Sequence, residues 1–261
     1  MKIKNCAAVI AICISSTAMA DTFVNGGFEN GNTGSWITGE GYRGNTLNSA
    51  LTPTNVLPGG SLYTGKALRS AIVSAGQVDP NIGAALGSTV YSGNYSYRVE
   101  DTVNGGNASA ISQKVLNYTD SNIFFAWKAV LENGGHAENE SALFSLSLRD
   151  DTTGTTLISR VYNAGAGGGG VDSKFASVGS LFYTPTWQLE QLVIDSALAG
   201  HDFTLSLLAA DCEPTGHTGY AYLDGFGAVL PTNQGTVPLP GTLALLGLGL
   251  AALRTARHRN A

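Results

Sequence analysis

Phe144-Ser145-Leu146-Ser147-Leu148-Arg149 alternates apolar and polar side chains, and Asp150-Asp151-Thr152-Thr153-Gly154 follows it directly. A side-chain period of two places Phe144, Leu146 and Leu148 on one face of an extended chain and the polar residues on the other, a strand with one buried face. The Asp/Thr/Gly stretch supplies side chains that bond their own backbone and a glycine that tolerates a positive φ. The chain therefore reverses into Leu157 to Tyr162, a hairpin partner. Outward from this hairpin the same signal recurs at Tyr95–Val99, Ser109–Val115, Ile123–Val130, Trp187–Ile194, Phe203–Leu208 and Tyr220–Val229. Nothing shows a sustained 3.6-residue period. Short strands punctuated by Gly, Asn and Asp predict an all-β fold, a two-sheet antiparallel β-sandwich. Residues 40 to 90, with Pro53, Pro58 and Pro80, read as loop-rich.

Both ends of the chain read as addresses. Met1-Lys2-Ile3-Lys4 is a positive start, Ala7 to Ile14 is apolar, and Ala18-Met19-Ala20 is a small-x-small cleavage site before Asp21, the pattern of a secretory signal peptide over residues 1–20. At the other end Val237-Pro238-Leu239-Pro240 precedes the uncharged run Gly241 to Leu253, and then come Arg254, Arg257, His258 and Arg259. That run is 13 residues, against the ~20 that a bilayer-crossing helix needs, so it spans only marginally. The flanking arginines hold its end on the cytoplasmic side.

This order of proline motif, apolar helix and arginine cluster resembles the PEP-CTERM proteins of Gram-negative bacteria. Leu239 stands where the family's name has glutamate; the two prolines and the layout are kept. The resemblance implies export through signal peptidase, transient anchoring in the inner membrane by residues 237–261, and processing by an exosortase. Residues 231–236 then form a linker, and the exported domain occupies 21–230.

Residues 21–236 carry nine basic and 19 acidic side chains, a net charge of −10. Such a surface argues against nucleic acid or anionic lipid as a partner and is compatible with divalent cations. Cys6 and Cys13 fall within the signal peptide, so Cys212 is left without an intramolecular disulfide partner, and burial is its expected state.

Three motifs stand in family order: Asn25-Gly26-Gly27-Phe28-Glu29 with Trp36, then Ser92-Gly93-Asn94-Tyr95-Ser96-Tyr97-Arg98-Val99, then Ala221-Tyr222-Leu223-Asp224-Gly225-Phe226. They resemble the jelly-roll, galactose-binding-like modules that include many carbohydrate-binding modules. The resemblance implies a structural Ca²⁺ held by Glu29 and Asp224 with backbone carbonyls near Gly27 and Asn94. Two carboxylates with carbonyls suit an ion that takes 6–8 oxygens. The competing reading makes both residues caps of backbone turns.

Other constellations carry less. Gly165 to Gly170 matches G-x-G-x-x-G by letters but lacks a following helix and the Lys-Ser/Thr of a phosphate loop, so it reads as a flexible loop. His136, Glu138 and Glu140 would share a strand face able to hold a metal, but Asn133-Gly134-Gly135 before them marks a solvated loop. His201 and His217 have no nucleophile motif beside them. Trp127 and Trp187 read as core, and Trp36 as a plug at the sandwich edge. Tyr42, Tyr63 and Tyr91 are the exposed aromatics nominated for sugar contact.

Together these features describe a non-catalytic exported protein of the cell surface or extracellular matrix, associated with polysaccharide or biofilm. A secreted polysaccharide hydrolase would need a carboxylate pair at the sandwich mouth, which no pattern singles out. A structural matrix component without a ligand site is the third reading. Intact mass spectrometry of the exported protein should give a start at Asp21 and an end near Pro238–Pro240; recovery of the Arg257-His258-Arg259 peptide from mature surface material would refute the processing.

Overall fold

Leu143–Asp150 and Thr155–Asn163 pair as antiparallel strands, with Phe144 opposite Tyr162 and Leu148 opposite Ile158. The computed structural model describes residues 23–231. The segment expected to be a signal peptide, with its expected Ala20–Asp21 junction, and the Val237–Arg259 segment lie outside the described residues. In chain order the strands are β1 (Ile37–Tyr42), β2 (Ala71–Ser74), β3 (Tyr95–Val99), β4 (Asn107–Tyr118), β5 (Asn122–Glu132) and β6 (Leu143–Asp150). They continue with β7 (Thr155–Asn163), β8 (Ala176–Val178), β9 (Leu181–Tyr183), β10 (Gln188–Val193), β11 (His201–Ala210) and β12 (Gly219–Gly227). One α-turn, α1 (Pro53–Val56), stands among them. No helix among the described residues is long and apolar enough to cross a membrane.

The strands form two antiparallel sheets. One has the order β1-β4-β11-β6-β7; the other has β2-β3-β12-β5-β9-β8, with β10 also on β5. β5 is long enough for its far edge to be shared, Asn122 to Trp127 pairing with β10 and Val130 to Glu132 with β9. Each of the eight strands expected from alternation is present, within a few residues at its ends. β1, β2, β8 and β9 are additions. Sequence hides β1 because it contains Gly39 and Gly41, which strands ordinarily avoid. A Cβ on Gly39 would stand 2.1 Å from the Val56 carbonyl oxygen, and one on Gly41 1.9 Å from that of Leu62. The glycines let residues 56–62 lie directly on the strand.

Between the sheets the core gathers Trp127, Phe125 and Leu131 of β5, Phe144 and Leu146 of β6, and Leu205 of β11. The Trp127 ring stacks on Phe144 at 4.7 Å, joining the two sheets. β5 reads as a continuous apolar run because both of its faces are covered, and Val130 belongs to a second cluster with Leu86, Tyr220 and Tyr222 on the outer face. A third cluster buries Leu51 and Val56 against Ala110 and Leu208, on the outer face of the other sheet. The loop-rich segment thus packs over both sheets. Lys128, on the outer face of β5, is buried; its ammonium donates to the carbonyls of Leu86 and Pro185 and lies 5.7 Å from the Trp187 ring. Burial lowers its pKa to about 8. Trp187, expected in the core, is half-buried on this outer layer, where its indole donates to Ser88 O at 3.0 Å. Truncating Phe144 to alanine removes the stacking partner of Trp127 and should cost about 3–5 kcal/mol, read as a lower urea midpoint at unchanged slope.

Candidate functional site

The opening motif is fastened to the closing strand. Phe226 N–H donates to Gly26 O at 3.1 Å, and a Cβ on Gly26 would fall 1.7 Å from Phe226 O, so only glycine fits. Asn25 and Phe28 hold positive φ of 54° and 58°, and the Trp36 indole donates to Asn25 O at 3.0 Å. Trp36 is buried and stacks on Phe28 at 5.2 Å, the plug that the sequence suggests. This anchoring brings Gly27, Glu29, Ser92, Gly93 and Asp224 to one pocket of about 270 Å³.

Glu29 and Asp224 bind backbone there in different ways. Glu29 is exposed, and its two oxygens accept from Asn94 N–H (2.9 and 3.0 Å), Asn94 Nδ2 (3.1 Å) and Tyr95 N–H (3.0 Å). Gly93 has φ 75°, and a Cβ there would meet Glu29 Oε1 at 2.3 Å. Asp224 is fully buried; its Oδ2 accepts from Tyr91 N–H at 2.8 Å and Ser92 N–H at 3.0 Å. No donor among the described residues reaches its Oδ1. A buried carboxylate oxygen without a partner costs about 1–3 kcal/mol, more when charged. Burial pushes the Asp224 carboxyl up to about 7, against the opposing pull of the Ser92 and Tyr91 amides. Glu29 thus accepts from the amides that open β3, while Asp224 keeps one oxygen without a hydrogen-bond partner among the described residues.

The nominated aromatics separate. Tyr42 is exposed, and Tyr63 is half-buried in the segment that runs beside β1, where Thr64 N–H donates to Glu40 O at 2.9 Å. Tyr91, expected to be exposed, is buried, its ring 5.8 Å from that of Trp187. Its neighbours Val90 and Ser92 are tied to the Ser88 hydroxyl and to Asp224, which turns the ring inward.

Sequence reading missed a groove at the mouth between β7 and β10. It has a volume of about 490 Å³ and is lined by Arg160, Tyr162, Lys174, Gln188 and Glu190, among others. Arg160 grips Glu190 with two bonds, Nε–Oε1 at 2.7 Å and Nη2–Oε2 at 2.6 Å. The Trp127 indole donates to the same Oε1 at 3.1 Å. Lys174 lies 5.9 Å from the Tyr162 ring and bonds Asp172 at 2.6 Å. Isolated polar residues on separate strands leave no local signature. The Gly165–Gly170 stretch is a turn packed on Glu138 rather than a phosphate loop; a Cβ on Gly165 would stand 2.9 Å from Glu138 Cα. His201 bonds the buried Asp150 at 2.9 Å, and the Thr153 hydroxyl bonds the same carboxylate at 2.7 Å.

Residues 236–260 match the model of the PEP-CTERM protein-sorting motif. The chain carries that motif. It marks an exported protein of Gram-negative bacteria, transiently anchored in the membrane and processed by exosortase. No curated protein matches the chain. Among solved structures it is similar to TmCBM61 in complex with β-1,4-galactotriose, at 12% identity and TM-score 0.39 over 79% of this chain and 96% of that one. It is also similar to the non-crystalline cellulose specific module CBM28, at 11% identity and TM-score 0.38 over 79% and 94%. A cyclase from Fischerella sp. TAU is similar at 12% identity and TM-score 0.35, over 80% and 95%.

The raised pKa of Asp224 has a testable sign. The folded chain keeps a proton there that the unfolded chain releases near pH 4. This contribution to stability is present below about pH 4 and lost as pH rises through about 7. In chelator, stability should fall over that window, and Asp224→Asn should flatten the fall by a few kcal/mol, about 1.4 per pKa unit. Burial raises Glu100 and Asp211 in the same direction, to about 7 and about 8, so part of the slope should persist. A denaturation series from pH 4 to pH 8 measures it; identical slopes in both chains would refute the assignment.

Proposed function

We propose that the protein is a non-catalytic polysaccharide-binding protein that is exported, released by exosortase, and retained at the cell surface or in the extracellular matrix. The observation that carries this reading is the groove between β7 and β10, where the paired Arg160 and Glu190 stand with Lys174 and Gln188. These side chains offer hydrogen-bond donors and acceptors to sugar hydroxyls, and Arg160 and Glu190 hold one another in place before any ligand arrives, which lowers the ordering cost of binding. The sorting motif at 236–260 supports the export that this reading requires.

Ca²⁺ belongs to the same proposal as a structural ion. The unpartnered Asp224 Oδ1 is the oxygen with the most to gain from a cation, and backbone carbonyls of the Gly27 turn supply further oxygens of the type Ca²⁺ takes. Bound only by the folded chain, the ion adds about 2.7 kcal/mol at a hundredfold excess over Kd. Melting temperature should rise with millimolar Ca²⁺, and Asp224→Ala should abolish the rise.

A glycan array with and without chelator tests the ligand. Lys174→Ala and Arg160→Gln should each weaken glycan retention by about tenfold, near 1.4 kcal/mol, while melting stays cooperative. Tyr42→Ala reports on the exposed β1 edge: loss of retention there, with the groove variants unaffected, would move the binding surface to Tyr42 and Tyr63. Absence of glycan retention under every condition would favour the purely structural role.

A further inference from the structure

Two connections at one end of the sandwich bring three metal-ligating side chains together. After β5 the chain runs Asn133-Gly134-Gly135-His136 toward β6; after β11 it runs Cys212-Glu213-Pro214-Thr215-Gly216-His217 into β12. His136 Nε2 lies 3.1 Å from His217 Nδ1, and Cys212 Sγ lies 3.3 Å from the same nitrogen. All three atoms lie within 4.8 Å of one another. The Glu29–Asp224 pocket is at the other end of β12 and shares none of these groups.

We propose that His136, Cys212 and His217 form a zinc site that clips the β5–β6 connection to the β11–β12 connection. The donor set is one thiolate sulfur and two imidazole nitrogens, which suits zinc and not the oxygen-seeking Ca²⁺ or Mg²⁺. The two edges that meet at His217 Nδ1 agree with it. A tetrahedron with Zn–N near 2.1 Å and Zn–S near 2.3 Å has N–N and S–N edges of about 3.4 and 3.6 Å. The observed 3.1 and 3.3 Å are each only a few tenths shorter. Hydrogen bonding alone does not account for the arrangement. An imidazole nitrogen has one in-plane site, either a proton or a lone pair. Here a thiol and a second imidazole both converge on His217 Nδ1, which can serve only one of them. A single cation among the three would satisfy all.

The backbone is shaped for this meeting. A Cβ on Gly134 would stand 2.1 Å from His217 Nδ1, so only glycine lets the ring occupy its place. Cys212 N–H donates to His217 O at 3.1 Å and Thr215 N–H to Cys212 O at 3.3 Å, closing a tight loop with Thr215 and Gly216 at φ 66° and 107°. On the other side Ala166 N–H donates to His136 O at 2.8 Å, so the Gly165–Gly170 turn holds that ligand's backbone. Cys212 is fully buried, with both histidines half-buried above it. On binding, the thiol gives its proton to solvent and its sulfur bonds the ion; nothing is oxidised or reduced. Three protein ligands leave the fourth tetrahedral position to water.

The test uses the full chain with Cys6→Ser and Cys13→Ser, so that Cys212 is its only thiol, in a non-thiol reductant. Titration with Co²⁺ should give one ion per chain and a sulfur-to-cobalt charge-transfer band that zinc removes. Zinc should raise the melting temperature above its value in chelator. Cys212→Ser should abolish the band. His136→Ala and Gly134→Ala should weaken cobalt binding by more than about tenfold, while Asp224→Ala leaves it unchanged. His136 is half-buried, so its truncation leaves a chain that melts cooperatively in chelator and keeps the result decisive. Absence of the band, or a band undiminished in His136→Ala, would overturn the site.

Discussion

Trp127 links the core to the surface groove. Its ring stacks on Phe144 of the facing sheet, and its indole N–H reaches Glu190 on β10, beside it in its own sheet. Glu190 in turn holds Arg160 on β7, which belongs to the facing sheet. One aromatic residue therefore fixes the distance between the sheets from within and the width of the mouth from without. The ion pair closing this bridge is partly exposed, the side chains 34% and 11% accessible, and by itself such a pair is worth little. Its value lies in geometry: the indole and the guanidinium both point at one carboxylate, so the rotamers of all three are set before a ligand arrives.

A second constraint shapes everything outside the central layer. β5 is buried on both faces, and a sheet whose outer side is largely apolar must be covered. The chain spends residues 43–91 on this, laying Leu51 and Val56 over one sheet and Ile82 and Leu86 over the other. Buried polar groups anchor the covering at fixed points. Arg43 donates to the carbonyls of Thr46, Ser141 and Asp211, and Asp79 accepts from the hydroxyls of Tyr220 and Tyr222. Groups so buried are tolerated because their hydrogen-bonding capacity is filled within the protein.

These layers explain what could be read in advance. Strands with one dry and one polar face, such as β6, write a period of two into the sequence, and a run like Ile123–Val130 is apolar enough to stand out. β1 is silent because contact with residues 56–62 requires glycine, and β8 and β9 are too short to show a period. Asn25–Glu29 and Asp224 could be brought together only through resemblance, and the structure does join them in one pocket. The Tyr91 ring was misplaced because its burial depends on Trp187, nearly a hundred residues away in sequence. The β7–β10 groove and the His136–Cys212–His217 cluster have the same origin: side chains whose meeting is decided by strand order and by no local spacing.

The distribution of carboxylates connects these parts. Those on the acidic surface are solvated, whereas Glu100, Asp211 and Asp224 are buried, and burial raises all three toward neutrality. Two of them already have rigid donors: Glu100 accepts from the Ser109 hydroxyl at 2.7 Å, and Asp211 from the backbone of Asn107 and Gly219 at 3.1 and 3.2 Å. Asp224 differs because one of its oxygens has no hydrogen-bond partner among the described residues. In a domain that already carries a net charge of −10, ionising that group within the fold is costly unless a cation accompanies it. The Ca²⁺ proposed at the closing strand would be that cation, placed against the oxygen that lacks a donor among the described residues.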